Sequence, residues 1–110
     1  MGQRGALVST PRQGEIWWAE VEGARRPVLV VTRSEVISAL SGVIVAPITR
    51  TIRSIPTEIA LGIEEGLNEE CVANFDNLQR VRRTALTLKI GDLGSRTDEI
   101  CQSLRAMSDC

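Results

Sequence analysis

The sequence predicts one mainly β domain, a small barrel or sandwich, that ends in an α-helix. Short segments rich in β-branched residues recur roughly eight to twelve residues apart, which is typical of small barrels and sandwiches. Near the C-terminus the apolar residues recur instead with the period of a helix. The composition, 43% hydrophobic and 25% charged over 110 residues, is that of an ordinary globular chain with enough apolar residues for one core.

The predicted elements follow in a clear order. Residues 1–12 lack periodicity and are expected to be a flexible leader, which leaves residues 13–110 as the domain. In the first strand, GEIWWAEV, alternation places Trp17 in the core and Trp18 on the opposite face. A turn at 22–24 precedes a central strand, RPVLVVTR, and SEVISAL is expected to form one helical turn. The later strands are predicted in GVIVAPIT, IPTEIAL, CVANFD, NLQRV and LTLKIGDL, with EEGLNEE as an acidic loop.

The C-terminal helix has a predicted start and a predicted buried face. Ser95 and Asp98 have the spacing of a capping box, and Asp98 and Glu99 suit the positive end of a helix dipole. The apolar stripe that we expect to pack on the sheet consists of Ile100, Cys101, Leu104 and Met107.

Charge is balanced overall but segregated along the chain. Thirteen Lys and Arg against 14 Asp and Glu give a net charge of −1, which argues against a generic nucleic-acid binder. Yet residues 24–53 carry five Arg and one acid, residues 54–79 carry six acids and no base, and residues 80–89 carry four bases and no acid. If the two basic segments converge, they form a cationic surface; otherwise they are solvated strand edges.

Missing residue types limit the chemistry. The sequence has no His and no Tyr, so catalysis would depend on Arg, Lys, carboxylates, hydroxyls or thiols. The absence of His also excludes the usual catalytic zinc site, and we expect no metal and no cofactor. Cys71, Cys101 and Cys110 are an odd number without metal-type spacing, which is typical of a reducing compartment. No secretory signal and no apolar segment of about 20 residues is visible, so we expect a cytoplasmic protein without a membrane anchor.

Three motifs occur in order along the chain: GEIWWAE at 14–20, RPVLVV at 26–31 and VAPIT at 45–49. With the later PTE at 56–58, GL at 66–67 and the final helix, they resemble the MazF/PemK family of toxin endoribonucleases over nearly the whole chain. Each motif alone is weak, but their order and spacing are fairly specific. The resemblance implies an SH3-like small barrel of the CcdB/PemK type, with a C-terminal helix packed on it, that works as a homodimer.

The resemblance also implies an activity and a partner. Members of this family cleave single-stranded RNA, usually messenger RNA, sequence-selectively and without metal, and a cognate antitoxin blocks them. The family's catalytic Arg and Thr correspond to Arg26 and Thr49 here. A guanidinium can hold phosphoryl oxygens with two parallel hydrogen bonds, and a hydroxyl can position reacting oxygens. Attack by the 2′-hydroxyl would leave 2′,3′-cyclic phosphate and 5′-hydroxyl ends. Residue type alone is equally compatible with an Arg26 that only flanks a strand and a Thr49 whose hydroxyl only satisfies a turn.

The sequence departs from the family at two places. Its first loop is only EGAR, at 22–25, and lacks the acid that many members carry there, so Glu22 is the candidate catalytic substitute. Asp76 matches the family, but Asn74 replaces an Arg that some relatives have, which leaves Arg80 or Arg82 as candidate replacements for that cation.

RNA recognition is expected to use planar and cationic side chains. Trp18 is the candidate base platform or dimer contact, with simple packing as the alternative. The residues expected to contact RNA are Trp18, Arg25, Arg50, Arg53, Asp76, Arg80, Arg82 and Arg83.

Two other classes of protein are compatible with the predicted fold. One is a catalytically inactive SH3-like module that binds RNA or protein, which the short first loop and Asn74 would fit. The other is a gyrase poison like CcdB, which depends on a C-terminal Trp-Gly-Ile; this chain has Met107, Ser108, Asp109 and Cys110 there instead.

Overall fold

The computed structural model describes residues 10–37 and 41–108. Most of the predicted leader, and Cys110, lie outside the described residues. The described elements are β1 (Glu15–Val21), β2 (Ala24–Val30), α1 (Ser34–Ile37), β3 (Gly42–Thr49), β4 (Glu58–Leu61), β5 (Cys71–Asn74), β6 (Gln79–Arg82), β7 (Leu86–Asp92) and α2 (Asp98–Ala106). Short 3₁₀ turns lie at Ile63–Glu65, Phe75–Asn77, Arg83–Ala85 and Gly94–Arg96.

The described strands form one antiparallel sheet that curls into a half-barrel. Its order is β4-β5-β3-β2-β1-β7, and β6 pairs with β3 beside β5. Strand β3 therefore changes partner along its outer edge, from β6 at Gly42–Val45 to β5 at Ile48 and Thr49. Pro47 pairs with Val28 on the inner edge, but neither β5 nor β6 pairs with it on the outer edge of the described sheet, so the N–H that proline lacks is not needed by a strand there. The predicted mainly β fold with a C-terminal helix is confirmed.

A two-residue turn joins β1 to β2. Glu22 and Gly23 both have positive φ, 52° and 80°, which is the conformation of a type I′ hairpin turn. Val21 and Ala24 close the hairpin on either side of it. The turn predicted here is confirmed, and its shortness leaves the first loop with no arm that could extend over the sheet.

Two apolar clusters fill the two faces of the sheet. One combines Ile16, Leu29 and Phe75 with Ile100 of α2. The other contains Trp17, which is 5% exposed, and receives Ile37 from α1, Val28 and Val30 from β2, and Val81 from β6. Trp17 is therefore a core residue, as its alternation with Trp18 predicts.

The start and the buried face of α2 differ from prediction. The predicted capping box is wrong, because Ser95 lies inside the preceding 3₁₀ turn and α2 begins only at Asp98, whose carboxylate accepts from Gln102 at 3.3 Å. Ile100 is buried and Leu104 is half-buried, as expected, but Ser103 completes this face. Cys101 is exposed because it lies about 100° around the helix from Ile100, whereas Met107 lies on the face of Ile100 but at the C-cap, where the helix ends, and is exposed there.

Arg96 connects the start of α2 to β4 and the turn after it. Its guanidinium donates to the Glu99 carboxylate at 2.8 and 2.9 Å, to Glu65 Oε2 at 2.9 Å and to the Ala60 carbonyl at 2.7 Å. The Glu99 hydrogen bonds raise the pKa of Arg96, and the same contacts lower the pKa of Glu99. The side chain of Glu65 is 7% exposed, so Arg96 neutralises a carboxylate that has little access to water.

None of the helices formed by residues 10–37 and 41–108 is long and apolar enough to cross a membrane.

Candidate active site

Arg26 and Thr49 lie on neighbouring antiparallel strands. The β2–β3 register pairs Val28 with Pro47. This is the last pair of that ladder, and Arg26 and Thr49 each lie two residues beyond it, so the two-residue period of a strand predicts that both side chains lie on the face of Val28 and Pro47. Both residues line a single cleft of about 810 Å³, named here the Arg26 cleft. The structure thus brings together, in one cleft, the two residues that the sequence suggests as a catalytic pair.

The two side chains are available to a ligand in different ways. Arg26 is exposed, and its guanidinium makes no hydrogen bond or ion pair with the residues that the structure describes. Thr49 Oγ1 accepts a hydrogen bond from the Thr51 N–H at 3.1 Å. A hydroxyl that accepts from the backbone can still donate its own hydrogen. Thr49 therefore satisfies a turn, as one reading of the sequence holds, and also presents a donor to the cleft.

Asp76 and Asn74 also line the Arg26 cleft. The Asn74 side chain is buried, and its Oδ1 accepts from the Asp76 N–H at 2.9 Å, which caps the Phe75–Asn77 turn. This turn aims Asp76 into the cleft, where its carboxylate accepts from Thr57 Oγ1 at 3.0 Å. Asn74, where some relatives carry a cation, therefore has a structural role and brings no charge.

Arg53 enters the same cleft from the loop between β3 and β4. Its Nε lies 3.0 Å from Glu58 Oε2, and its Nη2 lies 3.6 Å from Asp76 Oδ2. Burial of Glu58 opposes ionisation, but hydrogen bonds from Arg53 and from the Ser54 N–H outweigh it and lower the pKa of Glu58. Sequence reasoning assigned no role to Glu58, although the PTE motif at 56–58 marks its position.

A second cavity, of about 380 Å³, adjoins the Arg26 cleft and shares Pro27, Ile48 and Thr49 with it. Trp18 and Arg50, both expected to contact RNA, line this cavity. Arg25 lies over the Trp18 ring at 4.8 Å, a cation–π contact. Arg50 forms an exposed ion pair with Glu69 at 3.3 Å. The structure thus places a planar side chain in a cavity that shares Thr49, but not Arg26, with the Arg26 cleft.

Other residues expected at the site lie elsewhere. Glu22, Arg80 and Arg82 line a separate cavity with Glu20. In the described chain, therefore, Glu22 does not join Arg26 and Thr49, because the tight turn leaves it at the tip of the β1–β2 hairpin. Arg80 and Arg82 do not replace the cation missing at Asn74, because β6 pairs with the other end of β3. Arg83 is half-buried in the turn before β7. The two basic segments do not converge on one cleft.

Comparison with known proteins identifies the family. A family model described as PemK-like, MazF-like toxin of type II toxin–antitoxin system matches residues 12–107. The probable endoribonuclease MazF2 of Mycobacterium tuberculosis is 42% identical over 101 residues, which cover 90% of this chain and 99% of that protein. The chain therefore belongs to the PemK-like, MazF-like toxins of type II toxin–antitoxin systems, and the resemblance noted from its motifs is confirmed.

Solved structures support the same fold. The Mycobacterium tuberculosis toxin MazF-mt6 superposes with a TM-score of 0.77 at 33% identity, covering 84% of this chain and 93% of that one. A mycobacterial endoribonuclease in complex with its cognate antitoxin superposes with a TM-score of 0.75 at 24% identity, covering 87% of this chain and 92% of that one. The second likeness concerns the fold alone.

Proposed function

We propose that this toxin is an endoribonuclease that cleaves single-stranded RNA without a metal ion, by attack of a 2′-hydroxyl on the neighbouring phosphodiester. The observation that carries the proposal is the presence of Arg26, Thr49 and Asp76 in one cleft. Its volume of about 810 Å³ lies within the range of about 300–1,000 Å³ that is usual for ligand pockets.

Each of these three residues has a group suited to one part of the reaction. Arg26 would hold the non-bridging oxygens and stabilise the dianionic phosphorane, because an unpaired guanidinium offers two parallel donors. Thr49 would orient the reacting oxygens through its free hydroxyl hydrogen. Asp76 is the one carboxylate among the described residues that line the cleft, and we assign to it the 2′-hydroxyl proton.

The bonds and protons balance without a further reactant. The 2′-oxygen forms a bond to phosphorus as its proton passes to Asp76, and the bond from phosphorus to the 5′-oxygen breaks. The 5′-oxygen takes a proton from a water molecule in the open cleft, and the hydroxide that remains takes the proton from Asp76, which restores the water and the carboxylate. The products are a 2′,3′-cyclic phosphate and a 5′-hydroxyl.

We further propose that the substrate is messenger RNA and that the protein acts in the cytoplasm. We also propose that the RNA occupies the cavity beside Trp18. That cavity is contiguous with the Arg26 cleft and has an aromatic wall on which an unstacked base can lie. The family model describes toxins of toxin–antitoxin systems, so we propose a cognate antitoxin as protein partner, and a homodimer as the active form.

The decisive experiment is RNA cleavage by the purified protein in excess EDTA, with mapping of the new ends. We expect cleavage at defined sites, with 2′,3′-cyclic phosphate and 5′-hydroxyl ends. Arg26→Ala serves as the negative control for contaminating ribonuclease. Cleavage that needs an added divalent metal would contradict the proposed chemistry. RNA binding without any cleavage would favour the inactive binding module instead.

A further inference from the structure

Asn74 stands where some relatives carry an Arg, so this position brings no positive charge to the Arg26 cleft. A phosphorane carries two negative charges, and a single guanidinium neutralises only one of them. Asn74 is neutral, and its side chain is occupied in capping the turn that carries Asp76. Among the described residues that line the cleft, Arg53 is the one cation besides Arg26.

Arg53 is held more firmly than an ordinary surface arginine. Glu58 Oε2 accepts from Arg53 Nε at 3.0 Å, while Glu58 Oε1 accepts from the backbone N–H groups of Arg53 and Ser54 at 2.9 and 3.0 Å. These two backbone bonds coincide with a left-handed Ser54, whose φ is 56°. The Glu58 side chain is only 2% exposed, whereas that of Arg53 is 49% exposed. One end of the ion pair is therefore anchored within the fold, and the other reaches into the cleft.

This anchoring leaves donors of Arg53 unused. A guanidinium has five N–H groups, of which the Nε–H is directed to Glu58. Nη2 lies 3.6 Å from Asp76, a distance too long for a good hydrogen bond, and Nη1 bonds to none of the residues that the structure describes. The unused edge can bind a phosphoryl oxygen next to the carboxylate that we assign as the base.

We propose that Arg53 is the second catalytic cation of this enzyme and that Glu58 is its positioning residue. This inference rests on the proposed ribonuclease function and extends it. Arg53 contacts a non-bridging oxygen of the scissile phosphate opposite Arg26, and its charge contributes most in the transition state. Glu58 touches no substrate; it holds the guanidinium in that orientation before RNA binds, so that little reorganisation is needed during the reaction.

The test is a double-mutant cycle on cleavage of a short RNA in EDTA, with Arg53→Ala, Glu58→Gln and the double variant. We expect Arg53→Ala to lower kcat by about 100-fold, on the scale of a lost oxyanion donor, with KM changed less than about threefold. Glu58→Gln should lower kcat by roughly tenfold. In the double variant, Glu58→Gln should add less than about twofold, because its effect passes through Arg53.

Chemical rescue and conservative replacement separate a catalytic charge from a merely structural one. Added guanidinium should raise kcat of Arg53→Ala severalfold while leaving the wild type unchanged, and Arg53→Lys should retain an intermediate rate. Matched controls are Arg105→Ala and Glu64→Gln, which change exposed side chains outside the cleft and should leave cleavage unchanged. Circular dichroism of each variant confirms folding. If Arg53→Ala does not fold, Arg53→Lys and Arg53→Gln carry the comparison.

Each outcome bears on one proposal or the other. Cleavage by Arg53→Ala within threefold of wild type, or a loss confined to KM, overturns the catalytic role of Arg53. If Glu58→Gln lowers kcat as strongly in the Arg53→Ala background as it does in the wild type, the positioning role of Glu58 is overturned. If the wild type itself does not cleave RNA, the proposed function fails first and this inference fails with it.

Discussion

Arg26 and Thr49 line one cleft from two adjacent antiparallel strands, although they lie 23 positions apart in the sequence. The pairing of Val28 with Pro47 two residues away determines this relationship, because side chains repeat on one face every second residue. The site therefore depends on strand register. A one-residue slip would turn one of the two side chains to the other face of the sheet.

Loss of the Arg26 guanidinium should abolish most of the activity. We expect Arg26→Ala to lower kcat/KM by about 100-fold or more, and Arg26→Lys to recover only part of it, because an ammonium lacks the two-pronged donor geometry. Cleavage of a defined RNA in EDTA measures the effect, with Arg105→Ala as the matched control. A change below about threefold would contradict the role of Arg26.

The Thr49 hydroxyl should matter more than the shape of its side chain. Thr49→Val keeps the branched shape but removes the group that accepts from Thr51 N–H and would donate to substrate. We expect kcat to fall at least roughly tenfold in Thr49→Val and to stay within about threefold of wild type in Thr49→Ser. Equal rates for the two variants would refute a role for the hydroxyl. Thermal melting of both variants shows whether the local turn is also weakened.

Stability near Glu58 should depend on pH in the acid range. The pKa of Glu58 is lower in the folded state than in the unfolded chain, where an ordinary Glu has a pKa of about 4.3. The contribution of the ionised Glu58 carboxylate to the free energy of unfolding is therefore fully present above that pKa, and it is lost as the pH falls through the lower folded-state pKa. We expect Glu58→Gln to be less stable than wild type at pH 7, with the difference shrinking toward pH ~3. Urea unfolding at several pH values tests this, and Glu64→Gln should show no such trend.

Removal of the Arg96 guanidinium should destabilise the fold without touching the site. Arg96→Ala leaves Glu65 as a nearly buried carboxylate without its cation and frees the Ala60 carbonyl. We expect a loss of roughly 2–3 kcal/mol in the free energy of unfolding, the range for hydrogen bonds to charged groups. Urea denaturation measures it, and Arg105→Ala is the control. An unchanged free energy would mean that this network contributes nothing net.

The path of the RNA should follow the Arg26 cleft and the adjoining cavity. Arg50 lines that cavity, whereas Arg82 lines a separate one beside Glu22. For a non-cleavable 2′-deoxy analogue, the slope of log binding constant against log salt concentration should therefore become less steep in Arg50→Ala, by about one unit at most. In Arg82→Ala the slope should stay as in the wild type. The opposite result would place the RNA over the cavity that Glu22 and Arg82 line.

The local sequence pattern was sufficient to predict most of the strands and turns. Alternation assigned Trp17 to the core, the β-branched run of RPVLVV marked a central strand, and the Glu22–Gly23 pair marked a turn. It failed at the start of α2, because the Ser95 spacing that resembles a cap falls in a 3₁₀ turn whose geometry depends on Arg96 contacts with β4.

The sequence by itself determined the family, the mainly β architecture and the identity of the candidate pair Arg26 and Thr49, since these follow from ordered motifs and residue type. Only the tertiary structure decided which charges share the site. It brought Arg53, which Glu58 holds in an ion pair, into the Arg26 cleft and left Glu22, Arg80 and Arg82 outside it. The physical reason is that β3 pairs with β5 at one end and with β6 at the other, and distance along the chain carries no information about that division.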